Sequence, residues 1–111
     1  MTELPDGTCV ENYTAHDVIL IDSDNGTECT IPRHPDAPLR LMTNRVRLSK
    51  YLYRVRFGDP TIMPEAHLGV YLIVSSPVKI ALSHVRNDLV TPNDLIHDYS
   101  GKVLACRSFA L

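Results

Sequence analysis

Arg86 and Asp88 stand two residues apart in the run Arg86-Asn87-Asp88. A guanidinium offers a planar fork of donors suited to phosphate or carboxylate, and Asp88 could orient that fork or accept hydrogen bonds from a ribose. Equally, the two could close on each other as a structural ion pair. Upstream, Ser75-Ser76-Pro77-Val78-Lys79 has the composition of a helix entrance. Free backbone N–H groups and the positive end of the helix dipole can hold an anion there, with Lys79 adding charge. The plainer alternative is that Ser76 caps the helix, and for one Ser-Ser-Pro that is the safer reading. His16, beside Asp17 and after Thr14, could serve as a general base or ligand, but the favoured reading is a turn residue whose ring satisfies a carbonyl. The fourth feature is a basic stripe: Arg45, Arg47, Lys50, Arg54 and Arg56, with no acid between Asn44 and Phe57. It is either a solvated strand face or a contact for a phosphorylated ligand or polyanion. No exposed aromatic is expected on the same face, which argues against stacking on single strands.

The elements that must position these groups are mostly strands. Val70 to Val74 is five apolar residues of β-branched and aromatic type, which predicts a buried strand. Ser75, Ser76 and Pro77 then start a short helix near Pro77, with Val78, Leu82 and Val85 on one face. Val18-Ile19-Leu20-Ile21 predicts a second buried strand. Asp22-Ser23-Asp24-Asn25-Gly26 turns the chain into the partner strand Thr27 to Ile31. Three prolines between Pro32 and Pro38 carry the chain across the surface. Tyr51, Tyr53, Val55 and Phe57 alternate with Arg54 and Arg56, so the apolar set is expected to face the core and the arginines the solvent. A helix over Leu41 to Tyr53 is the alternative there. Thr-Pro-Asn-Asp after Val90 and Asp98-Tyr99-Ser100-Gly101 read as turns, and Val103 to Phe109 as the last strand. The sum predicts a mostly β domain over residues 10–111, a small barrel or sandwich with one short helix, after a loose arm at residues 1–9.

The chain has 111 residues, 44% of them hydrophobic and 22% charged, with a formal net charge of −2. That fits one domain with a modest core and gives no general pull toward nucleic acid or an anionic membrane. No apolar run approaches the roughly 18 residues of a membrane span, and the first residues lack a signal-peptide pattern. Cys9, Cys29 and Cys106 are an odd number, widely spaced, which implies reduced thiols in a cytoplasmic setting. Neither these nor His16, His34, His67, His84 and His97 show metal-ligand spacing. No cofactor is expected.

Four segments occur in a recognisable order: Asn12-Tyr13-Thr14-Ala15-His16-Asp17-Val18, Leu72-Ile73-Val74-Ser75, Arg86-Asn87-Asp88-Leu89-Val90-Thr91-Pro92, and Asp98-Tyr99-Ser100-Gly101-Lys102-Val103-Leu104-Ala105-Cys106-Arg107. Together they resemble a family of small uncharacterised proteins of bacteriophages and bacteria. That family commonly reads Asn-x-Thr-Pro-His at the first motif, where this chain has Ala15. The resemblance implies a phage-type protein in a bacterial cytoplasm. From the residues, with no nucleophile, metal or acid–base set visible and with arginines and a capped helix entrance able to hold phosphate, the expectation is a non-enzymatic binding protein for a phosphorylated small molecule; in a phage setting that would suit sequestering a host nucleotide defence signal. It would use Ser75, Ser76, Lys79, Arg86, Asp88, Arg54, Arg56 and His16. The alternatives are a structural, assembly or host-protein-binding protein of the phage, and third an enzyme cutting a phosphoester with His16 or His84 as base. A homo-oligomer is expected, because a small open β domain leaves unpaired edges.

Overall fold

The apolar run that begins at Val70 is the axis of the structure, a computed structural model describing residues 1–111. Strand β7 (Val70–Ile73) lies between two parallel neighbours, β2 (Cys9–Asn12) and β8 (Leu89–His97). Its side chains alternate as the period of two demands. Leu72, with Val74 just beyond the strand, points to an outer layer, and Tyr71 and Ile73 point inward. The outer layer is helix α1 (Ser76–Leu82), which returns the chain from β7 to β8. It buries Val78 and Leu82 against Leu72, Val74 and Leu89, joined by Tyr13, Ala37 and Leu39.

The sheet curls around the inner cluster, Leu4, Val10, Ile31, Ile73 and Val90. Its order runs β1 (Thr2–Glu3), β2, β7, β8, β9 (Val103–Ala110), β3 (Val18–Ile21), β4 (Glu28–Ile31). Strand β8 is long because it serves both halves: Leu89 and Val90 pair with β7, and Thr91 to His97 with β9. The fold is thus mostly β, a nearly closed seven-stranded barrel with a single short helix, as the turn and strand signals indicate. No helix is long and apolar enough to cross a membrane.

One residue draws the ring together. Just past β4, Arg33 bridges to Asn12 at the end of β2, and His34 N–H donates to the Asn12 carbonyl at 2.8 Å. The Asn12 side chain, 1% exposed, donates through Nδ2 to the Ile31 carbonyl at 3.1 Å and the His16 carbonyl at 2.8 Å. Its Oδ1 accepts from Thr14 N–H at 2.9 Å and from the Thr14 hydroxyl at 2.6 Å. Carbonyls only accept and a backbone N–H only donates, so these partners fix which way the amide faces.

Several local expectations differ from the structure. Residues 1–9 are not a loose arm: Thr2 and Glu3 pair with Val10 and Cys9, and Leu4 sits in the inner cluster. Thr91 to Asp94 is not a turn but a kinked part of β8. Asp94 takes a φ of +49°, and Ser108 Oγ donates to its carboxylate at 2.7 Å. The largest difference concerns residues 41–60. They form a separate hairpin, β5 (Leu41–Arg47) and β6 (Tyr53–Pro60), hydrogen-bonded only to each other. Tyr51, Tyr53, Val55 and Phe57 therefore do not face the core. Phe57 is 65% and Tyr51 83% exposed.

Asn12→Ala should destabilise the fold by about 2 kcal/mol, since it strands the buried Ile31 carbonyl, leaves Thr14 N–H without its partner and opens the seam between β2 and β4. Urea unfolding checks this, and a loss under 0.5 kcal/mol would mean that the seam holds without the amide.

Candidate functional site

Arg86 and Asp88 find each other. Arg86 Nε–H donates to Asp88 Oδ1 at 2.9 Å and Nη2 to Oδ2 at 2.6 Å, a bidentate pair with both side chains largely shielded from solvent. The remaining arm of the fork, Nη1, donates to the Pro64 carbonyl and touches Met63 Sδ. The pair thus ties the loop before β7 to the turn after α1. Asp88 also lends its carbonyl to Leu72 N–H at 2.8 Å. The hydrogen bonds from Arg86 hold the Asp88 carboxyl below its ordinary range, and the same bonds raise the guanidinium. This is the geometry of the structural ion pair: the fork is aimed at Asp88 and Pro64 rather than into a cavity.

At the helix entrance the capping residue is Ser75, not Ser76. Its backbone is extended (φ −71°, ψ 158°) and its hydroxyl makes no capping hydrogen bond. Lys79 turns away, donating to the Ala110 carbonyl of β9 at 3.1 Å. Ser75 and Ser76 instead reach the rim of a groove of about 390 Å³, where His16 and Asp17 join them. Its floor is apolar, built from Val74, Ile19 and Cys106. The groove opens at the carboxyl ends of β2 and β7, where β8 leaves its parallel neighbour for β9. No Lys or Arg lines it. His16 gives its backbone carbonyl to Asn12, and Asp17 Oδ1 accepts from Arg33 N–H at 2.9 Å. Burial pushes the Cys106 thiol up, away from the thiolate a nucleophile needs. Of the eight residues expected at a site, the structure brings together His16, Ser75 and Ser76 and leaves Lys79, Arg86, Asp88, Arg54 and Arg56 elsewhere.

Arg54 and Arg56 belong to the hairpin, which has a chemistry of its own. Its base is clamped by Thr61 N–H to the Arg40 carbonyl at 2.7 Å and Arg40 N–H to Thr61 Oγ1 at 3.1 Å. A bulge follows, with Gly58 and Asp59 opposite Met42, which bends and twists the arm away from its root. Directly paired residues share a face, so Tyr53, Val55 and Phe57 lie with Arg47, Arg45 and Thr43, and Arg54 and Arg56 lie with Val46 and Asn44. Both faces therefore mix apolar groups with cations. The Arg45 guanidinium sits 4.3 Å over the Tyr53 ring and Lys50 Nζ 5.1 Å over Tyr51. At about 3.3 Å per residue the arm reaches roughly 25 Å. It explains a radius of gyration of 16.0 Å, where a compact chain of this length gives about 13 Å.

The stripe of arginines was visible in the sequence, but the turn from Leu48 to Leu52 that folds it into an arm was not. Asn12 stands in the sequence only as the head of the first resemblance motif, with no role assigned to its amide. Its signal is Asn-x-Thr at a strand end, where the amide can bond the backbone two residues on. No three His, Cys, Asp or Glu side chains gather where they could hold a metal ion. Compared with protein-family models, with curated proteins and with solved structures, the chain has no match.

Arg86→Ala should cost about 3 kcal/mol at neutral pH, because it strands a carboxylate among apolar groups. A carboxyl held low in the fold stabilises above its unfolded value, and that contribution is lost as pH falls through the folded one. The gap between wild type and variant should therefore narrow as pH falls from about 7 to about 3. Chemical unfolding at both ends checks it, and a gap constant with pH would assign the loss to the Pro64 contact.

Proposed function

We propose that the chain is a non-enzymatic, self-associating assembly protein whose recognition element is the β5–β6 arm. One observation carries this reading: a long two-stranded arm with exposed apolar side chains on both faces and five cations. A lone two-stranded ribbon is marginal in water, and needs packing to hold its shape. Its composition, Tyr, Phe, Met and Arg, is that of the core of a protein interface. In the setting that the resemblance to small bacteriophage and bacterial proteins implies, such a chain would act in assembly rather than in chemistry. The arrangement supports this better than a phosphate pocket, since Lys79 and Arg86 are engaged elsewhere, no lysine or arginine lines the groove that Ser75 shares with His16, and the smaller cavity on the other side of Ser75 holds a single cation, Arg40.

The test is the mass in solution. Light scattering at micromolar concentration should give a multiple of 12.4 kDa. Tyr51→Ser combined with Tyr53→Ser should return it to one chain without unfolding the barrel, because neither residue belongs to either core cluster. A wild-type protein of single-chain mass would refute the reading.

A second reading rests on the convergence of His16, Ser75 and Ser76. The groove could take a small molecule with an apolar body and hydroxyl or amide groups, the balance that ligand sites usually show. Thermal melts with a nucleotide panel address its phosphorylated version. With no cation at the groove, no member should raise the melting temperature, and a saturable rise would bring the phosphate reading back.

A further inference from the structure

The arm carries a charge that its own body opposes. Residues 41–60 hold five cations against one carboxylate, or +4, and the other residues hold six cations against twelve carboxylates, or −6. Arm against arm would set like charges together, whereas arm against body brings opposite charges into contact, within the roughly 8 Å over which charges act at physiological salt.

The body offers one place that suits the tip of the arm. The barrel is open at the end where β2 begins and β3 stops, giving a cavity of about 400 Å³. Its floor is Leu4, Leu20, Cys29 and Phe109, and its rim carries Asp6 and Asp22 with a single cation, Arg107. Among the apolar side chains of the arm, Tyr51 at the tip is the most exposed, and it stands beside Lys50. We propose that the tip of one arm docks in this barrel mouth of a second copy, Tyr51 on the apolar floor with its ring by Arg107, and Lys50 between Asp6 and Asp22. This rests on the self-association reading and names its geometry.

The strand directions add a consequence. The mouth lies at the amino ends of β2 and β7, and the arm springs from residues 40 and 61, beside the helix entrance at their carboxyl ends. Arm and mouth thus occupy opposite ends of the barrel. Contacts between unlike surfaces repeat from copy to copy, closing into a ring or running on as a filament.

Cys29 in the mouth makes the test direct. In a Cys9→Ser background, Leu52→Cys places a thiol at the exposed tip and leaves Tyr51 in place, and the third cysteine, Cys106, is buried. A disulfide needs Cα atoms within about 7 Å, so mild oxidation reports seating rather than proximity. The expected result is a 52–29 disulfide between chains, mapped by peptide mass spectrometry, with a ladder of species beyond the dimer. Adding Lys50→Glu should cut its yield by about tenfold, the effect of turning an attraction at the rim into a repulsion. Adding Cys29→Ser should abolish it. A 52–52 disulfide, or no link between chains in a protein whose wild-type form is multimeric, overturns the docking site and leaves self-association standing. A wild-type protein of single-chain mass removes both.

Discussion

The amide of Asn12 is the contact on which the architecture turns. A seven-stranded sheet of short strands has two free edges, and only the Arg33 bridge to Asn12 joins the far side of β4 to β2. Four hydrogen bonds from one buried side chain make that joint specific, tying the Ile31 carbonyl, the Thr14 N–H and hydroxyl and the His16 carbonyl to one point. A buried amide with every partner in place specifies a structure more than it stabilises one, because any other packing leaves those groups unsatisfied. His16 and Asp17 are held at the groove by the same turn. The rim of the groove and the closure of the barrel are therefore one feature.

The second constraint is the shortage of core. Only 16 of 111 residues are buried, eight of them in a cluster under α1 and five in a cluster inside the barrel. A domain with so little apolar burial depends on its polar joints, and Arg86 with Asp88 is the second of them. The guanidinium reaches in one direction to Pro64 and in the other to Asp88, whose carbonyl pairs with β7. What reads in sequence as a phosphate-binding fork is occupied in holding the loop from 61 to 67 against the barrel.

How far the sequence reveals the structure depends on where each signal is decided. Local signals were legible. The Val70–Ile73 strand, the helix at Pro77, the left-handed Gly26 and Gly101 and the Asp98 turn follow from residue type and backbone preference. Signals settled by distant partners were not. Tyr53, Val55 and Phe57 alternate as a core-facing strand does, but alternation cannot tell whether another layer covers that face. Arg86 offers the same fork to a phosphate and to Asp88, and only the fold brings Pro64 up to its third arm. Thr91-Pro92-Asn93-Asp94 has the composition of a turn, yet pairing with β9 keeps Thr91 to Asn93 in the strand and confines the turn-like backbone to Asp94.

Arm, mouth and charge make one claim, that the hairpin holds its shape because a second copy receives it. Hydrogen exchange followed by mass spectrometry across a dilution series tests this most directly, as it reads the arm and the mouth in the same molecules. Amides of β5 and β6 should lose protection on dilution together with those around Asp6 and Asp22, while β7 and the Asn12 seam stay protected. An arm whose exchange is the same at every concentration, in step with no other part of the chain, would contradict it.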